Sequence, residues 1–369
     1  MTNRRFAICD SACYGWRPVG KLQSLQILRF LAAASVALSH AVWVAGSTGG
    51  AKPFLTGSQG NAGVDVFFVI SGAIIYRSAF APETGKSASA FVRARLIRIV
   101  PLYYVLSAVF LIEQMVRHRG VDAGNILTTL TFWPAWPHLT SPVLDPGWTL
   151  SFEMLFYAAA AAVLDSRRAL NLVLAVFAVA LAAWFVTPEP GAFRFIGNPI
   201  ILEFLAGVLI MRFADRFGAP AWVGAAVFVV AGAVLLAPPW PRFLYDYLGT
   251  VDGAVSVWRI YCIGVPAAAL VWGALQFEEQ LKGPASRVLV YLGDASYSLY
   301  LSQFALLIPV MDVIGHSHRD GNTLVFALFC TTIAIGVLTY ELVEKPLTRG
   351  ARQLWTSRPA KAVEVEAAA

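Results

Sequence analysis

Apolar positions in this chain come in long unbroken runs. They show neither the alternation of a half-buried strand nor the single stripe of a surface helix. The runs cover about 25–45, 64–81, 96–116, 148–165, 169–187, 196–213, 220–238, 259–277, 288–311 and 322–343. Each is close to the ~20 residues with which an α-helix crosses hydrocarbon. A backbone in lipid must satisfy its own hydrogen bonds, so the pattern predicts an all-α, polytopic integral membrane helical bundle of about ten transmembrane helices. The weakest run is 259–277, which holds Pro266 and two glycines, Gly264 and Gly273. Residues 1–20 carry Arg4, Arg5 and Arg17 and lack an apolar core, so no cleavable leader is expected and the first run reads as a retained helix. The domain reading is a cytoplasmic segment 1–21, a membrane domain 22–347, and a cytoplasmic tail 348–369, expected to be disordered, that ends in AVEVEAAA.

Composition sharpens this. The chain has 369 residues, 58% hydrophobic and only 14% charged. Soluble domains are roughly 45–50% apolar and about 25% charged, so a soluble enzyme, a disordered protein and a fibre are excluded. The net charge of +6 lies in short loops between apolar runs, not in an aromatic-laced patch, which argues against nucleic acid as a partner. With the N terminus inside and ten alternating spans, 21 of the 28 Lys and Arg fall on the cytoplasmic side. The outer seven are Lys52, Arg117, Arg119, Arg194, Arg242, Arg259 and Arg319. That asymmetry obeys the positive-inside rule and puts both termini in the cytoplasm. The cysteines Cys9, Cys13, Cys262 and Cys330 have no metal-binding spacing, and no metal site is expected. The outer loops 117–147 and 239–258 are rich in Pro, Trp, Tyr and Gly, suited either to a substrate cleft or to an interfacial aromatic belt.

Ionisable groups inside spans are costly and therefore informative. In LQILRFLAAASVALSHAV, Arg29 and His40 are eleven residues apart. That is close to three helical turns, so both leave one face about 16 Å apart. Apolar packing asks for neither, although an arginine alone could snorkel to headgroups and a histidine alone could be a satisfied packing residue. In FVRARLIRIVPLYYV, Arg95 and Arg98 share a face and Arg93 stands close by. Guanidinium groups there suit phosphates, or they anchor the helix against anionic lipid. Glu153, in PGWTLSFEMLFY, could orient a histidine, position a substrate hydroxyl, or complement a helix N-terminus. Asp65, in GVDVFFVISG, has the same alternatives. In LGDASYSLYLSQF, Ser296, Tyr300 and Gln303 fall on one face with Tyr297 beside it, a pattern that by itself reads as interhelical packing. The sequence has no GxGxxG, P-loop, HExxH or GxSxG motif.

Taken together and in order, LRFLAAASVALSH, GVDVFFVISG, RLIRIVPLYY, WTLSFEMLFY, LGDASYSLYLSQ and ELVEKP resemble the membrane-bound acyltransferase-3 family over about residues 22–347. The wording LQILRFLAA, TLTFWP, GWTLSFEMLFY and NPIILEFLAGVLI is most similar to the branch that acetylates bacterial exopolysaccharides, the succinoglycan type. The resemblance implies ten spans in a bacterial inner membrane, an acyl-CoA donor (acetyl-CoA) on the cytoplasmic side, and a carbohydrate acceptor reached from outside. Membrane lipid and polysaccharide assembly proteins are the further partners. It implies that Arg29 and His40 are the essential pair, with Glu153 at the acidic catalytic position. Arg95 and Arg98, with Arg93, are implied to bind the donor. Asp65, Trp148, Tyr297, Tyr300 and Gln303 are expected on the substrate side. Gln303 departs from the family pattern SYxxYLxH, which has histidine there, so a titrating role at that position is lost. The rival reading is a transporter or flippase of lipid-linked sugar, which should show broken helices paired by an internal repeat; no repeat is visible. A weaker third is a non-catalytic partner of a polysaccharide assembly complex.

The charge asymmetry generates a topology prediction. In a cysteine-free background, Lys86→Cys should label only from the cytoplasmic side and Asp320→Cys only from outside. Labelling of both from one side would remove the ten-span topology.

Overall fold

The computed structural model describes residues 21–47, 53–54, 60–80, 87–134, 139–166, 168–186, 191–237, 256–304 and 320–356. Its regular elements are helices: α1 (Gln23–Ser47), α2 (Gly63–Phe80), α3 (Ala88–Val116), α4 (Ala123–Thr131), α5 (Trp148–Asp165), α6 (Ala169–Val186), α7 (Ala192–Ile196), α8 (Ile201–Arg212), α9 (Ala221–Leu236), α10 (Ser256–Arg259), α11 (Val265–Gln276), α12 (Pro284–Asp294), α13 (296–304), α14 (Gly321–Thr339) and α15 (Lys345–Thr356). Eight of the ten expected crossings are helical and apolar over the length a bilayer requires. The ninth is α9, apolar but only 16 residues long. The tenth, 288–311, divides at Ala295 between α12 and α13, and 305–319 lie outside the described residues. The chain is an all-α polytopic membrane protein.

Two crossings contain a widened π-type turn, Ile260–Gly264 before α11 and Tyr340–Glu344 before α15. Each turn ends two residues before a proline, Pro266 and Pro346. Proline offers no N–H to the carbonyl four residues back, and its ring crowds that carbonyl. The carbonyls concerned, of Cys262 and Leu342, lie inside the wide turns, where the extra residue makes room. The weakest run is therefore a continuous crossing with a bulge. The second bulge leads straight into α15, so the helix that begins at Gly321 runs on past Pro346. This corrects the expected disorder from residue 348: the chain stays helical to Thr356, with the Arg93 guanidinium 5.7 Å over the Trp355 ring. Residues 357–369, like residues 1–20, lie outside the described residues.

Small residues set the crossings. Gly72 of α2 lies against the Phe204 carbonyl of α8, and Gly207 of α8 lies against the Val69 carbonyl of α2, so a Cβ at either would strike backbone. Gly224 of α9 and Gly273 of α11 meet each other's carbonyls in the same way. Such contacts bring backbones close where lipid supplies no hydrophobic drive between helices. Around them packs an aromatic core in which the Phe156 and Phe204 rings stack 3.5 Å apart. By contrast α6 buries only Ala180, as a lipid-facing helix should.

Polar groups tie the bundle together. Glu278 accepts the backbone N–H groups of Gln23 and Ser24 at 2.6 and 2.8 Å, a cap on α1 supplied from 254 residues away. The Arg259 fork donates Nε to Asp65 Oδ1 and Nη2 to Asp65 Oδ2, both at 2.7 Å, with side chains only 4% and 0% exposed. Arg259 therefore does not act as the loop charge that the basic-residue tally made of it. It sits one residue before the wide turn and points its charge into the bundle.

Breaking one member of such a pair leaves an uncompensated buried charge, at about 3–5 kcal/mol. Asp65→Leu and Arg259→Met should each lower the thermal stability of the detergent-solubilised protein by that order. The double variant should recover a large part of the loss in calorimetry or a fluorescence melt; strict additivity would mean that the pair is not coupled.

Candidate active site

Between α1, α2, α3, α5 and α13 lies a cavity with an empty volume of about 870 Å³, its open mouth included. Its charge comes from Arg29, Arg95, Arg98 and Glu153, and most of its remaining wall is apolar or aromatic. Arg95 and Arg98 reach it together because three residues bring side chains nearly back to the same helical face. Arg95 donates to Ser78 Oγ of α2 and lies beside the rings of Phe91 and Tyr157, 5.6 and 5.9 Å from their centroids. Glu153 accepts the Tyr157 hydroxyl at 2.5 Å, one helical turn along α5. Tyr297 donates its hydroxyl to the Ile99 carbonyl at 2.8 Å, pinning α13 to α3 along the cavity wall. Behind that wall, buried Glu344 accepts from Ser298 at 2.6 Å.

His40 stands farther along α1. Its Nδ1 lies 2.9 Å from Gln303 Oε1, and its ring meets Phe304 edge-on at 5.1 Å. Gln303 in turn donates Nε2 to the Tyr300 carbonyl at 2.8 Å. The Tyr300 ring lines the cavity, 5.7 Å from Phe67. Only one turn of α13 thus separates the imidazole's partner from the cavity wall.

Of the residues singled out in the sequence, the cavity gathers Arg29, Arg95, Arg98, Glu153, Tyr297 and Tyr300. It does not gather Arg93, which lies two residues from Arg95 and so about 200° around the helix; its guanidinium covers Trp355 instead. Asp65 is consumed by Arg259. Trp148 packs on Phe68 and Phe152 at 6.0 and 6.1 Å. Gln303 is fully buried with both ends of its amide engaged, so it faces His40 and not the cavity. Glu153 bonds Tyr157, not the histidine.

Sequence reasoning missed Ser78, Tyr157 and the Arg259 partner of Asp65. Tyr157 was legible, because a hydroxyl four residues after Glu153 faces it on a helix. The contacts of Ser78 and Arg259 cross from one helix to another over 17 and 194 residues, and no local spacing encodes them.

Comparison with known proteins adds an independent line. Residues 22–341 match the model of the acyltransferase domain family. The exopolysaccharide production protein ExoZ of Rhizobium meliloti (strain 1021) is 32% identical, over 79% of this chain and 91% of that protein. The acyltransferase MdmB of Streptomyces mycarofaciens is 25% identical, over 90% of this chain and 92% of its own length. No solved structure matches. A membrane bundle with this cavity, matched by the family model over most of its length, belongs to the acyltransferase-3 family.

Proposed function

We propose that this protein moves an acetyl or other short acyl group from cytoplasmic acyl-CoA to a hydroxyl of a surface or exopolysaccharide sugar, in a bacterial inner membrane with both termini in the cytoplasm. One observation carries the reading: three guanidinium groups face a single carboxylate in an apolar-walled cavity. Even with Glu344 counted behind the wall, positive charge is in excess. An excess of like charge among half-buried groups on apolar walls favours an anionic ligand. The phosphates of CoA are such anions, and planar guanidinium forks hold phosphate bidentately. The names of the relatives, one an acyltransferase and one a protein of exopolysaccharide production, support the reaction class and the acceptor class.

The donor's phosphates would lie against Arg29, Arg95 and Arg98 while the thioester extends along α1 toward His40. Neutral imidazole there can take the proton of the sugar hydroxyl, a contribution of roughly 10²–10⁴-fold, or can attack the thioester itself. Glu153, tied to Tyr157, balances part of the arginine charge. Mass spectrometry of the surface polysaccharide, with and without the protein, tests the reading directly: loss of one acyl unit is the expected outcome, and an unchanged, fully assembled polymer would sink it.

Two variant experiments follow. Arg95→Ala and Arg98→Ala should weaken acyl-CoA binding in equilibrium titration about tenfold or more and leave acceptor use less affected. Lysine should restore only part of the affinity, because it lacks the planar fork. Undiminished donor affinity would make these arginines lipid anchors. His40→Ala and His40→Gln should leave membrane abundance near normal and reduce transfer by at least the ~10²-fold of a lost base. Near-normal turnover by His40→Gln would make the histidine structural.

A further inference from the structure

We propose that Gln303 is a positioning residue that holds neutral His40 with its proton on Nδ1, making Nε2 the reacting nitrogen and suiting it to direct transfer and not to an acyl-histidine. The proposal rests on the reading of His40 given above and asks which of its two chemistries this chain is built for.

The Tyr300 carbonyl fixes the direction of the Gln303 amide. A carbonyl oxygen only accepts, so the end of the Gln303 amide that meets it at 2.8 Å is the NH₂. The other end, which meets His40 Nδ1 at 2.9 Å, is therefore the oxygen. An amide oxygen only accepts, so Nδ1 carries the proton and Nε2 keeps its lone pair. Turning the amide over would set two oxygens against each other at the Tyr300 carbonyl. Gln303 is 0% exposed, so bulk solvent does not reach the amide to relieve that clash. The backbone of α13 thus selects the tautomer of a side chain on α1.

The amide also limits what His40 can do, because it cannot take a proton. Suppose Nε2 attacked the thioester carbon and expelled the thiolate. The product would be an acyl-imidazolium still carrying the Nδ1 proton. Relaxing to a neutral acyl-imidazole would require that proton to leave onto an amide oxygen, which is not a base. The direct route has no such difficulty. The acceptor hydroxyl gives its proton to Nε2 as its oxygen bonds to the thioester carbon. The C–S bond breaks, and the departing thiolate takes the proton back from Nε2. His40 returns to its starting tautomer, and Gln303 exchanges no proton at any step.

The tautomer can be read without turnover. In protein labelled with ring-¹⁵N histidine and held in lipid nanodiscs, the His40 signals are those lost in His40→Ala. The expected spectrum has a protonated Nδ1 and a bare Nε2. Gln303→Met, similar in length but without the amide, should shift His40 toward the Nε2–H form. In membranes supplied with [¹⁴C]acetyl-CoA, the same variant should lower kcat by about 10- to 100-fold, the order lost when the orienting partner of a metal-bound histidine is removed, with KM for acetyl-CoA unchanged. Gln303→Glu, which keeps an acceptor at Nδ1, should recover part of that loss. Wild-type protein quenched into cold denaturant at neutral pH, where an acyl-imidazole survives, should carry no more label than His40→Ala. A wild-type His40 bearing Nε2–H, a Gln303→Met defect confined to KM, or label retained on His40 would each overturn the proposal and leave the functional reading standing. Normal turnover by His40→Gln would instead overturn that reading and this proposal with it.

Discussion

A charge carried into hydrocarbon must find its partner there, and the Asp65–Arg259 fork meets that requirement inside this bundle. It joins the start of α2 to the residue that leads into the widened turn before α11. Helix α2 is also the one against which α8 closes through the reciprocal Gly72 and Gly207 contacts, and against which α1 closes through Gly63. A helix fixed on three sides in this way can give one of its faces to a cavity without collapsing into it. Phe67, Phe68 and Ser71 line that face.

The cavity obeys the opposite rule. Its three arginines face a single lining carboxylate, and Arg95 rests against the Phe91 and Tyr157 rings and Ser78. Crowding of half-buried like charges is tolerated because the planar guanidinium is poorly hydrated to begin with. Tyr157 and Glu153 form a rigid pair on one helix, so the single carboxylate stays in place beside the arginines. The same bundle therefore holds a paired charge at Asp65, with the buried Glu203 carboxyl beside it, and an excess of guanidinium groups at the cavity.

His40 belongs to neither. Its surroundings are an amide, an aromatic edge and α1 itself. A neutral partner keeps the imidazole oriented without adding charge to it. The link from His40 through Gln303 to the Tyr300 carbonyl means that the geometry at the histidine follows the position of α13, the same helix whose Tyr297 is pinned to α3 beside the cavity arginines.

Much of this was legible in the chain. Unbroken apolar runs dictate helices that cross a membrane, because lipid accepts no other backbone. The eleven-residue interval between Arg29 and His40, and the three-residue interval between Arg95 and Arg98, are properties of helical period alone. The sequence also marked Glu153 and the tyrosines of α13 as polar groups in apolar company. What it did not contain was the choice among partners. Arg259 looked like a loop charge and Asp65 like a substrate ligand until the fold set them 2.7 Å apart. Arg93 looked like its neighbours until helical rotation turned it to Trp355. Gln303 looked like a lost function until its two hydrogen bonds fixed its direction. Period and hydropathy are local and are written into successive residues. Pairing between helices hundreds of residues apart depends on crossing angles and on glycine contacts, and only the assembled bundle decides it.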